Sequence, residues 1–130
     1  MALGQDSNLL SPSVTAGEDL LRGIFVKLNT TGQAVKCGAG ERPIGVTDAA
    51  AKSGKTVPII TGGTALVVGQ GGTNDININD DVKSDANGKA VTAGTQTNSK
   101  FVSGVALTKA TEDGDTIRIL LQVRSGAGTD

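Results

Sequence analysis

Apolar and polar positions alternate in short runs, most clearly in Thr116-Ile117-Arg118-Ile119-Leu120-Leu121-Gln122-Val123. A period of two puts Ile117, Ile119, Leu121 and Val123 on one face, which predicts a strand with that face in the core. Leu120 interrupts the alternation, so the opposite face is expected to be partly covered by a neighbour. Elsewhere short β-branched runs are broken by Gly, Asn and Asp, residues that favour turns. Only Asp48-Ala49-Ala50-Ala51-Lys52 has the makings of a helical turn, and it is too short to nucleate alone. The prediction is an all-β chain with at most one short helix.

The pattern also repeats. Val26-Lys27, Gly32-Gln33-Ala34-Val35 and Gly38 are answered by Val82-Lys83, Gly88-Lys89-Ala90-Val91 and Gly94, each 56 positions later. Gly45-Val46 then matches Gly104-Val105 at offset 59, and Gly54, Thr56 and Ile59 match Gly114, Thr116 and Ile119 at offset 60. A fixed offset implies one structural unit used twice, and its slow growth places insertions in loops. Each copy reads as a hairpin followed by two strands, with Gly32, Gly54, Gly88 and Gly114 as structural turns. Asn87-Gly88 predicts a type I′ hairpin turn, in which both central residues take positive φ.

Residues 1–16 show neither period and are expected to form an extended arm, whose Leu3, Leu9, Leu10, Pro12 and Val14 are candidate contact residues. Residues 17–124 are expected to form a single β domain, with repeat halves at about 20–62 and 76–123, and 125–130 a flexible tail. A length of 130 residues fits one domain around one thin core.

Composition sharpens this picture mainly by exclusion. With 19 Gly, 2 Phe and no Trp, Tyr or His, the core must be aliphatic, and no imidazole is available as base or metal ligand. One cysteine rules out an internal disulfide, and Cys37 reads as a small, half-buried residue instead of a nucleophile. Twelve Lys and Arg against thirteen Asp and Glu, without a basic run or aromatic platform, argue against nucleic acid as partner. No apolar stretch is long enough to span a membrane, and Met1 to Asp6 lacks the features of a signal peptide, so a soluble protein made in the cytoplasm is expected.

Three motifs resemble chemical sites. Ser53-Gly54-Lys55-Thr56 ends like a phosphate-binding loop, but Ala49 stands where the first glycine belongs and Val57-Pro58-Ile59-Ile60 follows where a helix should. Asp75, Asn77 and Asn79 have the alternate oxygen spacing of a calcium loop. Asp80 replaces its central glycine and Ala86 its final glutamate, and a strand with Ile76 and Ile78 inward explains the same alternation. Paired aspartates could serve a hydrolase, but most Asp here neighbour Gly, Asn or Thr, as turn residues do.

Read together, Gly23-Ile24-Phe25-Val26-Lys27, Gly32 to Val35, Pro43-Ile44-Gly45-Val46-Thr47 and Gly54-Lys55-Thr56-Val57-Pro58-Ile59 resemble the capsid cement or head decoration proteins of tailed phages. This is the family once called domain of unknown function 2190. The likeness continues through Asp80-Asp81-Val82-Lys83, Asp85 to Gly88, Ser103 to Leu107 and Gly114 to Ile119, and spans about residues 14 to 123, with Asp80 where the family carries glycine.

The resemblance implies a small β-barrel or β-tulip domain in a structural virion protein without catalytic residues or cofactor. Such a protein binds the outside of the assembled, expanded head as a homotrimer and stabilises contacts between major capsid protein subunits. Nucleic acid, membrane and small-molecule substrate are not implied as partners. Residues 1–16 would supply the capsid-contact arm, adding a strand to an exposed sheet edge. The alternative from another class is a calcium- or carbohydrate-binding β module of a phage tail or surface protein.

Overall fold

Strand pairing organises the chain into two copies of one unit. The structure, a computed structural model, describes residues 14–70, 75–93 and 101–125. The first copy contains β1 (Val14–Thr15), β2 (Phe25–Leu28), β3 (Ala34–Lys36), β4 (Gly45–Thr47), β5 (Thr56–Val57) and β6 (Ile59–Ile60). The second contains β7 (Gly63–Gln70), β8 (Asp81–Ser84), β9 (Ala90–Thr92), β10 (Phe101–Ala106) and β11 (Asp113–Ser125). In the first, β3-β2-β4-β6 form a sheet and β1 pairs with β5; in the second, β10-β11-β7-β9-β8 close into a barrel.

The correspondence holds pair by pair. Val26 faces Lys36 and Leu28 faces Ala34, as Val82 faces Thr92 and Ser84 faces Ala90. Val26 with Gly45 is answered by Val82 with Gly104, and Thr47 with Ile59 by Ala106 with Ile119. The isolated bridge Leu20 to Ala51 is answered by Ile76 to Ala110.

The unit also begins earlier than the predicted halves. Val14 opposite Val57 and Thr15 opposite Thr56 match Val67 opposite Ile117 and Val68 opposite Thr116, while the parallel bridge Ala16 to Ala34 matches Gly69 to Ala90. β1 therefore takes the place in the first half that the end of β7 takes in the second. The chain joins the domain at Val14, within the segment expected to be arm.

No helix occurs among the described residues. The helical turn that Asp48 to Lys52 could have made does not form because its backbone is committed elsewhere. Ala51 exchanges hydrogen bonds with Leu20 at 2.8 and 2.9 Å, and the Asp48 N–H donates to the Pro58 carbonyl at 2.9 Å. These long-range bonds outweigh the weak propensity of three alanines.

The hairpin turns differ from the type I′ geometry expected at Asn87-Gly88. Gly88 has φ +80°, but Asn87 is outside the left-handed region, since Asn79 is the one described non-glycine residue with positive φ. The Asp85 carboxylate sets the turn by accepting from the N–H groups of Asn87 at 2.7 Å and Lys89 at 2.9 Å. Asn29 does the same for Thr31 at 3.0 Å and Gln33 at 2.9 Å, with Gly32 at φ +83°. The result is a three-residue loop with one left-handed residue, which Gly adopts without steric cost.

Buried aliphatics form two clusters, where one core was expected. One holds Ala16, Leu20, Ile24, Val26, Val57 and Ile59. The other fills the barrel with Ala65, Val67, Val82, Ile117, Ile119 and neighbours, joined by Phe25, Cys37 and Val46 from the first half. A five-stranded barrel has a narrow interior, so small and β-branched residues fill it without aromatics. Three of the four residues predicted on the inner face of β11 are buried; Val123, 36% exposed, lies past Leu121, opposite which β7 begins. Leu120 on the outer face is 39% exposed.

The halves meet along the backbone of Gly23 to Phe25. The Val68 N–H donates to the Gly23 carbonyl at 2.9 Å, the Phe25 N–H to the Gly88 carbonyl at 2.8 Å, and the Gly40 N–H to the Ser84 carbonyl at 2.9 Å. A Cβ on Gly88 would lie 2.5 Å from Ile24 Cγ2 and 2.7 Å from the Phe25 carbonyl oxygen, whereas one on Gly32 would meet nothing. We expect Gly32→Ala to cost about 1 to 2 kcal/mol from its left-handed conformation alone. Gly88→Ala should lose about 1 to 3 kcal/mol more by overpacking. Urea denaturation of both variants measures the difference; equal losses would mean the junction yields without strain.

Candidate interaction surface

The residues with calcium-loop spacing are used to build a turn. Asp75, Asn77 and Asn79 are exposed. The Asn77 N–H donates to Asp80 Oδ2 at 2.8 Å and the Asp80 N–H to the Asn77 carbonyl at 3.1 Å. Asn79, at φ +79°, stands where the first half has Gly23 at φ +80°, and both donate their N–H to the end of a strand, Asn79 to Ala106 and Gly23 to Thr47. Asn is the non-glycine residue that best tolerates this conformation. The expected alternation therefore fails after Ile76, which is buried, and Ile78 is 63% exposed in the turn. Among the described residues no group of three or more His, Cys, Asp or Glu is placed to hold a metal ion. Gly54, in the phosphate-loop-like run, has φ +87° in the turn leading into β5.

Of the five candidate contact residues in the arm, Val14 pairs with Val57 and packs half-buried on the first cluster. Leu3, Leu9, Leu10 and Pro12 lie outside the described residues. The two halves also differ at one end. Arg22 and Asp48 approach to 4.0 Å in the first, while their counterparts in the second are Ile78 and Leu107, both exposed.

A cavity of about 500 Å³ opens where the β8–β9 turn meets the loops of the first half. Leu20, Ile24 and Ala51 supply apolar wall, Leu21 lines it while 65% exposed, and Lys36, Lys52 and Lys89 add positive charge. Sequence reading did not single out these residues. They come from four separate loops or strand ends, so no period or spacing links them.

Cys37 is fully buried, deeper than the half-buried position its sequence suggests. Burial, and then the negative charge of Glu41, push its thiol up to about 11. Its Sγ donates to the Glu41 carbonyl at 3.4 Å. The Glu41 carboxylate accepts from Lys27 Nζ at 2.6 Å and the Gly38 N–H at 2.7 Å. These bonds, that to Lys27 foremost, lower the Glu41 pKa, and the same pair raises that of Lys27.

A thiol whose folded pKa lies above its unfolded value binds the extra proton in the native state. Its contribution to stability is complete below the unfolded pKa of about 8.5 and is lost as pH rises towards 11. We expect Tm to fall more steeply from pH 8.5 to 11 in the native sequence than in Cys37→Ala. Iodoacetamide should label the native thiol at pH 8 only after denaturation. Rapid labelling of the folded protein would contradict this environment.

No curated protein matches the chain. The fold is similar to that in the crystal structure of the head fiber gp8.5 N base in bacteriophage phi29, with a TM-score of 0.66 and 16% sequence identity. The match covers 85% of this chain and 92% of that one. The sequence pattern of a family described as phage cement protein matches residues 5–121. With that match over nearly the full length, on a doubled β unit closed at one end into a barrel, the chain belongs to the phage cement protein family.

Proposed function

We propose that the protein is a non-enzymatic cement that binds the outer surface of the expanded phage head and bridges neighbouring major capsid protein subunits as a homotrimer. Membership of the phage cement family over residues 5–121 is the observation that carries this reading, and gives a structural, capsid-associated role. The arm, shortened to residues 1–13 by the pairing of Val14 and Thr15, makes the contact through Leu3, Leu9, Leu10 and Pro12. Its root is held by the pairing of Val14 and Thr15 with β5, so force on the arm is passed to a strand and not to a loose end.

Three arms on one trimer act together. Once the first is bound, the others bind at an effective concentration near millimolar, which raises avidity by about 10² to 10⁴. A protein that bridges subunits only in the expanded arrangement stabilises that arrangement, because a ligand favours the state it binds.

Deleting residues 1–13 leaves β1 intact and tests the arm. The native protein should co-sediment with expanded heads and not with unexpanded ones, and light scattering should give three times the 13.0 kDa chain mass. The truncated protein, with an unchanged thermal melt, should bind heads about 10²-fold more weakly. Undiminished occupancy would overturn the arm's role, and absence of binding by the native protein would overturn the decoration reading.

A further inference from the structure

The repeat supplies an internal control for the cavity. At the positions of Leu21, Lys36 and Lys52 the second half carries Asn77, Thr92 and Thr111, and its unit folds with the same pairings. The fold therefore does not need an exposed leucine and two lysines there. Leu21 is 65% exposed although it adjoins an apolar depression, an arrangement that leaves hydrophobic surface in water.

Charge narrows what could cover it. Three lysines and one carboxylate, that of Asp19, line the cavity. Both Asp19 oxygens are engaged, Oδ1 by the Ser53 N–H at 2.9 Å and Oδ2 by Lys52 Nζ at 3.8 Å. Lys89 has a distant partner in Asp113 at 3.9 Å; the Glu18 carboxylate accepts from the Lys36 backbone N–H at 2.7 Å, while among the described residues no carboxylate lies within ion-pair distance of Lys36 Nζ. The site is thus apolar at its walls and positive overall. A volume of about 500 Å³ falls in the range that holds a few side chains or a small ligand. Leu21 and Lys52 are both exposed at the cavity, so they can be reached from solvent by a partner's side chains.

We propose that this cavity docks a segment of a partner protein in which aliphatic side chains are flanked by Asp or Glu. The aliphatic groups cover Leu21 and Ala51 over a floor formed by the buried Leu20 and Ile24, and the carboxylates meet Lys36 and Lys89. Burial of the leucine supplies affinity, and the lysines select against basic segments. The inference goes beyond the decoration reading, and its test does not depend on heads.

The test is selection of displayed random octapeptides on the full-length protein, counter-selected on Leu21→Glu. Leu21 is exposed, so this variant should keep the native thermal melt, as should Lys36→Thr, the residue that the second half carries at that position. Enriched peptides should combine Leu, Ile or Val with Asp or Glu, and should bind either variant about tenfold or more weakly than the native protein. Enrichment of basic or purely polar peptides, or binding unchanged by both substitutions, would overturn the proposal. So would saturable binding of decanoate with no peptide selected, which would assign the cavity to a small amphiphile. Displacement of the selected peptides by a synthetic peptide of residues 1–13, binding more tightly than they do, would assign it to the protein's own arm and equally overturn it.

Discussion

The close approach of two backbones at Phe25 and Gly88 decides how the halves sit together. Phe25 gives its N–H to Gly88, and the turn carrying Gly88 has no Cβ to hold the strands apart. Alternation along β2 then sends consecutive side chains into different clusters, Phe25 towards the barrel and Val26 towards the first half. With two phenylalanines in the chain and no larger aromatic, neither cluster is large. Joining them through a shared strand lets two small cores bury surface that each alone would expose.

Duplication also explains which features are structural and which are surplus. Hairpin registers, Asx-type turns and the bridges Leu20 to Ala51 and Ile76 to Ala110 recur in both halves and follow from backbone requirements. Features found once need another reason. Among the described residues, the ion pair of Arg22 with Asp48, the exposed Ile78 and Leu107, and the placement of Leu21, Lys36 and Lys52 around the cavity belong to this group. In a family whose members act as cement, such departures from internal symmetry are where contacts with other molecules are to be sought.

Residue order alone made much of this legible. The two hairpins, their offset of 56 and the left-handed glycines at 32, 54, 88 and 114 follow from local rules, because β-branched runs extend and Gly supplies positive φ. The buried face of β11 follows from its period of two. What local rules could not reach was set by distant partners. Asp48 to Lys52 forms no helical turn because Leu20 and Pro58 bind its backbone, and Val123 stays exposed because β7 begins opposite Leu121. The left-handed residue in the loop after Ile76 is Asn79, identified by its equivalence to Gly23 and not by composition.

The sequence by itself determined an aliphatic β unit used twice, without histidine chemistry, since strand period, turn residues and repeat spacing are properties of neighbours along the chain. Tertiary structure alone decided that β1 repeats the end of β7, that the second half closes into a barrel, and that Leu21, Lys36 and Lys89 share one cavity. The physical reason is common to all three. Each depends on backbone or side-chain contacts between residues far apart in the chain, and such contacts leave no period for a linear pattern to show.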